Sequence, residues 1–109
     1  QLNEKEQPLC KCPSGVPGIE TTLPLLITAW RENKLSLAKL VALTHDNPQQ
    51  IFNLPANDDL VLVDIVNYRE LNDAQMASKC HWTPFVGMNL TGFPRYVFTQ
   101  QRLIDCRKL

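Results

Sequence analysis

Apolar and polar positions divide the chain into a helical first half and an extended second half. Gln1–Gly18 has no sustained periodicity and contains three prolines and two glycines, so it reads as a loop. A helix follows, with Thr21 or Thr22 as its cap and Pro24 in the first turn, where a missing N–H costs nothing. Leu23, Leu25, Leu26, Ile27, Ala29 and Trp30 cover nearly its whole circumference, so it needs partners on more than one face. Asn33 and Lys34 end it, and Ser36 caps the next helix. There Leu37, Leu40, Val41 and Thr44 recur at helical spacing and predict one buried stripe. Asn47-Pro48 is expected to break that helix and start a short third one, with Asn47 as cap and Ile51, Phe52 and Leu54 at its apolar end.

From Pro55 the period changes. Leu60–Val66 is apolar and β-branched except at Asp64, and predicts a strand buried on most of both faces. Asn67–Lys79 is polar and carries weak signals. Gly87–Gly92 has turn chemistry around a short strand. Arg95–Thr99 and Arg102–Cys106 predict a hairpin closed at Gln100-Gln101, a turn without the usual Gly or Asn. Helices first and strands last suggest α+β, or the tail of an α/β domain joined to a small sheet.

Charge narrows the function classes. Eleven Lys and Arg balance eleven Asp and Glu, which argues against a nucleic-acid binder and against a polybasic membrane anchor. The richest apolar run, Leu23–Trp30, is about half the length needed to span a bilayer. Gln1–Gln7 is polar and charged and reads as no secretory signal; with no initiating Met, a processed or excerpted chain is expected. Cys10, Cys12, Cys80 and Cys106 leave a long cysteine-free middle, so reduced, intracellular thiols are expected rather than a stapled scaffold.

Candidate chemistry is sparse. Two glycines and a proline within Ser14–Glu20 can fix a loop whose backbone N–H groups meet an anion or a polar ring, although an ordinary connection is the plainer reading. Cys10-Lys11-Cys12 lacks nearby histidine partners for a metal site. His45 is expected to favour the dipole at a helix C-terminus, and His81 to pack or lie on the surface. No serine has nucleophile-elbow context, and Asn89-Leu90-Thr91 reads as a chance glycosylation sequon.

Several motifs in order carry a resemblance. Pro13-Ser14-Gly15-Val16-Pro17-Gly18-Ile19-Glu20-Thr21-Thr22-Leu23-Pro24-Leu25-Leu26 resembles the loop and helix that follow the last barrel strand of dihydroorotases. Lys34-Leu35-Ser36-Leu37, Asn47-Pro48-Gln49-Gln50-Ile51-Phe52 and Ser78-Lys79-Cys80-His81-Trp82-Thr83-Pro84-Phe85 continue the match. Leu2-Asn3-Glu4-Lys5 looks like the segment just after the family's Asp-His-Ala-Pro-His motif. The type resembled most is the dihydroorotase domain of the animal pyrimidine-synthesis multienzyme.

The resemblance implies a fold and a reaction. The expected fold is α/β: residues 1–54 supply the C-terminal loop and helices of a (β/α)8 amidohydrolase barrel, and residues 55–109 strands of a small appended β domain. The expected reaction interconverts dihydroorotate and N-carbamoyl-L-aspartate in cytoplasmic pyrimidine synthesis, at two zinc ions whose ligands lie upstream of Gln1. Ser14 and Gly15 match the loop whose main chain contacts the substrate ring; no catalytic or metal residue carries over. The fragment alone is expected to be inactive, and to stay docked to its N-terminal complement or to self-associate. Two alternatives stand beside this reading. One is a non-catalytic dihydroorotase-like subunit that scaffolds aspartate transcarbamoylase. The other is a related cyclic-amide hydrolase, a hydantoinase or allantoinase. In the family a Gly is common in the terminal hairpin turn, and Pro55–Asp59 is short beside many bacterial members.

Overall fold

The computed structural model describes Lys5, Glu6, Pro8 and residues 14–108. Helix α1 spans Thr22–Arg31. Pro24 sits in its first turn as expected, but neither threonine caps it. Thr21 is already helical (φ −106°, ψ −11°), whereas a capping side chain needs an extended backbone to reach forward. Instead the Thr21 and Thr22 hydroxyls donate backwards to the Gly18 carbonyl, at 3.3 and 2.8 Å. The C-terminus follows the expected signal. Asn33 adopts φ +60°, Lys34 N–H donates to Ala29 O and Asn33 N–H to Trp30 O, the paired bonds of a Schellman end.

Ser36 caps α2 (Leu37–Val41) from an extended backbone and accepts the Lys39 amide at 3.1 Å. The expected break at Asn47-Pro48 does not occur. A π-turn over Ala42–Asp46 runs directly into α3 (Asn47–Ile51), and Asn47 is helical at φ −67°, ψ −47° rather than a cap. Proline has no N–H for the ladder and its ring crowds the carbonyl four residues back. A wider turn just before Pro48 relieves both problems without ending the coil. His45 therefore lies inside a continuous helical rod, not at a C-terminus, and the dipole role expected of it is withdrawn. α3 ends like α1, with Asn53 at φ +49° and Leu54 N–H donating to Gln49 O.

The buried stripe predicted for α2 is also corrected. Only Leu40 is buried; Leu37, Val41 and Thr44 are exposed. By contrast α1, apolar nearly all round, has no fully exposed residue between Leu23 and Trp30, and buries Pro24, Ile27 and Thr28.

Five strands follow. β1 (Leu60–Asp64), β4 (Phe93–Thr99) and β5 (Arg102–Asp105) form an antiparallel sheet in the order β1-β4-β5. β2 (Arg69–Glu70) and β3 (Asn89–Leu90) pair separately. The strand over 60–66 is shorter than expected and is not buried. Leu60, Val61 and Leu62 are each at least half exposed, because β1 is an edge strand whose faces are covered only in part by the described residues. It stops at Asp64, whose carboxylate accepts the amides of Val66 and Asn67 and bends the chain away. Its ladder with β4 carries a bulge: Leu62 pairs with Tyr96 but Val63 with Pro94, so Arg95 is the extra residue.

The hairpin forms as expected. Gln100 and Gln101 both take positive φ, +49° and +60°, as a two-residue type I′ connection demands. A small core of Leu71, Met76 and Leu90 lies beneath α1, with Leu25, Phe85 and Phe93 packed against it. Fully burying one leucine side chain contributes about 1.5–3 kcal/mol, so Leu71 and Leu90 anchor the two halves together. Polar groups lock the same contact. The Thr28 hydroxyl donates to Thr91 O at 3.2 Å and accepts the Thr91 amide at 3.0 Å, satisfying backbone that is wholly buried. Gly92 beside it has φ +89° and lies against Ile27, so close that a Cβ there would stand 2.5 Å from the Ile27 Cβ.

Candidate functional site

Two concave features flank the α1–sheet contact. The first is the Gly/Pro loop. Ser14 and Gly15 are exposed, and Gly15 adopts φ +89° with open space where a side chain would go. The loop is held at its far end. Gly18 O accepts the Thr21 and Thr22 amides as well as their hydroxyls, and the Glu20 carboxylate accepts the amides of Ala77 at 3.1 Å and Ser78 at 2.6 Å. Glu20 thus ties the segment 14–20 to the segment 76–82, far apart in sequence. A small cavity between them is lined by Pro17, Glu20, Met76 and Trp82, and the Trp82 indole N–H is buried without a partner among the described residues.

The second feature is a cleft of about 290 Å³ between the two sheets, lined by Asp64, Asn67, Tyr68, Arg69, Phe93, Arg95 and Arg107. Asp64 organises its floor. It accepts Asn67 Nδ2 at 2.7 Å, the two amides already named, and Arg95 Nη1 at 3.3 Å. The Asn67 side chain is the largest influence, followed by the backbone bonds and the Arg95 charge, and together they lower its pKa from 3.8 to about 2. Arg107 donates to Asp105 and to the Tyr96 hydroxyl, and those contacts raise its pKa above the ordinary value. Arg69 differs. Its guanidinium lies 3.6 Å from the Phe93 ring centroid, and burial lowers its pKa, with the Glu20 charge opposing. No sequence signal pointed to these three arginines together. Arg69 falls in the weakly patterned stretch 67–79, and only the bulge brings Arg95 into play.

The remaining sequence candidates fall elsewhere. His81 is exposed at φ +54°, and His45 Nδ1 meets Asp46 Oδ1 at 2.8 Å on the surface. Cys80 and Cys106 are free and half-buried; Cys10 and Cys12 lie outside the described residues. Thr91 of the chance sequon is fully buried, and its hydroxyl meets the carbonyls of Asn67 and Asp64 at 2.8 and 3.1 Å. That explains its threonine on structural grounds. Among the described residues no three His, Cys, Asp or Glu side chains converge as a metal site would need, so these residues do not supply the donor set for the zinc pair that the resemblance implies. No helix among them is long and apolar enough to cross a membrane.

No protein-family model matches the chain. A dihydroorotase of Methanosarcina mazei is 37% identical over 112 residues, which cover 94% of this chain and 24% of the relative. Multifunctional protein pyr1-3 of Dictyostelium discoideum is 38% identical over 89 residues, covering 81% of this chain and 4% of its own. Multifunctional protein CAD of Squalus acanthias is 40% identical over 86 residues, 78% of this chain and 4% of that protein. Among solved structures, the inactive dihydroorotase-like domain of a Chaetomium thermophilum CAD-like multifunctional protein superposes with a TM-score of 0.71 at 26% identity. It covers 94% of this chain and 28% of that one. The fold is thus a mixed helix–strand unit like one seen in a dihydroorotase-like domain. The chain is a dihydroorotase-like segment, spanning about a quarter of the length of the dihydroorotase first named above.

Proposed function

We propose that the protein carrying this chain is a dihydroorotase, a zinc-dependent cyclic-amide hydrolase that interconverts dihydroorotate and N-carbamoyl-L-aspartate in cytoplasmic pyrimidine synthesis. The observation that carries the reading is similarity to dihydroorotases across nearly the whole chain, helices and sheet alike. In this reading residues 1–54 complete a (β/α)8 barrel and residues 55–109 complete its small β domain. The zinc ligands and the catalytic aspartate belong to the rest of the protein. The role of this segment is positional: the Ser14–Gly15 main chain meets the substrate ring, where small residues allow close approach. Glu20, by gripping Ala77 and Ser78, fixes the angle at which that loop leaves α1. The exposed apolar residues of α2, α3 and β1 face the remainder of the enzyme.

A second reading has one specific observation behind it. The solved structure that superposes is described as an inactive dihydroorotase-like domain, and a non-catalytic subunit scaffolding aspartate transcarbamoylase would share its fold. Assay of the full-length protein with dihydroorotate, with N-carbamoyl-L-aspartate and with hydantoin separates the readings. Turnover is expected for the first two and not the third. No turnover by a zinc-replete, folded protein would favour the scaffold. Gly15→Val in the full-length enzyme should raise KM with metal content unchanged; unaltered kinetics would remove the loop from the substrate site.

A further inference from the structure

The cleft between the two sheets holds donors that the chain does not satisfy. Arg69 is covered on one face by Phe93 and forms no hydrogen bond or ion pair through its guanidinium among the described residues. Stacking occupies the π-face and leaves the five in-plane N–H donors available to another partner. Arg95 lines the same cleft, and its Nε is buried with no acceptor among the described residues. Its presence there is built into the sheet, since it is the extra residue of the β1–β4 bulge, a device that re-aims one side chain at the cost of a ladder bond. Arg107 is the third cation on the rim.

Asp64 pairs with Arg95 and Asp105 with Arg107, whereas Arg69 forms no ion pair among the described residues and feels the Glu20 carboxylate only through its charge. Asp64 cannot serve it as well, since its oxygens already accept two amides, Asn67 Nδ2 and Arg95. The Arg69 side chain is open to solvent and so free to meet a ligand, whereas the Arg95 Nε–H is buried without an acceptor among the described residues, and a buried charged donor left unpaired is costly. The group that would suit both is an oxyanion, whose paired oxygens match the guanidinium fork.

We propose that this cleft is an oxyanion-binding site: it receives a carboxylate or phosphate group in the plane of the Arg69 guanidinium, with Arg95 as the second donor. Its volume leaves room for a small organic body against Tyr68 and Phe93. The site stands apart from the reaction assigned to the whole protein, and its test does not use that activity. Full-length protein is titrated by calorimetry with inorganic phosphate and, separately, with malonate, at low and high sodium chloride. Saturable one-site binding is expected, weakened by salt. Arg69→Gln should weaken it about tenfold or more. Arg69→Lys keeps the charge but not the fork and should recover only part of the loss. Tighter phosphate binding assigns a phosphate ester, tighter malonate binding a carboxylic acid. Each probe should also raise the melting temperature of the unmutated protein and of Arg69→Lys, but not of Arg69→Gln, which separates lost binding from lost folding. Binding equally strong in Arg69→Gln, or no saturable binding of either probe at tens of millimolar, overturns the proposal.

Discussion

Gly92→Ala tests how closely the sheet rides on the helix. Gly92 sits between β3 and β4, is buried, and donates its amide to Asp64 O at 2.7 Å. A methyl group there would stand 2.5 Å from Ile27 Cβ, 2.6 Å from Cγ2 and 3.0 Å from Cδ1. The Cβ is fixed to the helix backbone, so no rotamer change clears it and α1 itself must shift. Two costs add. An L-residue at φ +89° pays about 1–2 kcal/mol for its backbone. Forcing a methyl into a packed contact costs about 1–3 kcal/mol more. The expected total is about 2–5 kcal/mol, a large share of a typical domain's margin. Gly87→Ala is the internal control. Gly87 has nearly the same φ, +87°, but nothing lies within 4 Å of its would-be Cβ, so it should pay only the backbone cost. Equilibrium urea unfolding of both variants measures the difference. Equal losses would refute the claim that Gly92 is required by close approach to α1.

Three further outcomes are expected. Replacing Gln100-Gln101 with Asn-Gly should stabilise the hairpin by about 1 kcal/mol, because both positions need positive φ; a lower melting temperature would contradict the turn assignment. Asp64 has a depressed folded-state pKa, so its contribution to stability is present above its ordinary value of 3.8 and is lost as pH falls toward about 2. Carboxyl NMR titration should find it still ionised at pH 3, and Asp64→Asn should flatten acid unfolding in that window. Sedimentation of the purified chain should show self-association through the exposed apolar residues of α2, α3 and β1, such as Ile51, Phe52 and Leu60. A monodisperse monomer that binds no hydrophobic dye would sink that expectation.

Local signals in the sequence located most elements. Pro24, Asn33, Ser36 and the two strands around Gln100-Gln101 each act through their own backbone preference, and all stand where that preference places them. Failures arose where a neighbour decides. Pro48 was expected to stop a helix, but one wide turn over Ala42–Asp46 absorbed it. Apolar residues at Leu37, Val41 and Leu60–Leu62 predict burial, yet burial depends on what packs against them, and the described residues cover them only in part. Of the candidate features, the Gly/Pro loop was visible because glycine and proline advertise backbone constraint. The arginine cleft was not. Arg69, Arg95 and Arg107 come from separate strands and a terminal turn, and no local pattern records a one-residue offset between β1 and β4.

That offset also makes chain length matter more than residue identity at one point in the molecule. Losing a single codon between Phe93 and Tyr96 would let β1 and β4 zip into an unbroken ladder. Every residue on the N-terminal side of the deletion would keep its partner and its face, because Val63 already pairs with Pro94 and Asp64 with Phe93, and only the extra residue's place would be lost. Phe93 would stay over Arg69, while the cleft would lose the arginine that the bulge aims into it. The connection Pro55–Asp59 obeys the opposite rule: it is exposed and carries no ladder, so it can gain or lose residues at small entropic cost. Relatives of this chain should therefore vary in length ahead of β1 and hold the spacing from Gly92 to Tyr96 fixed.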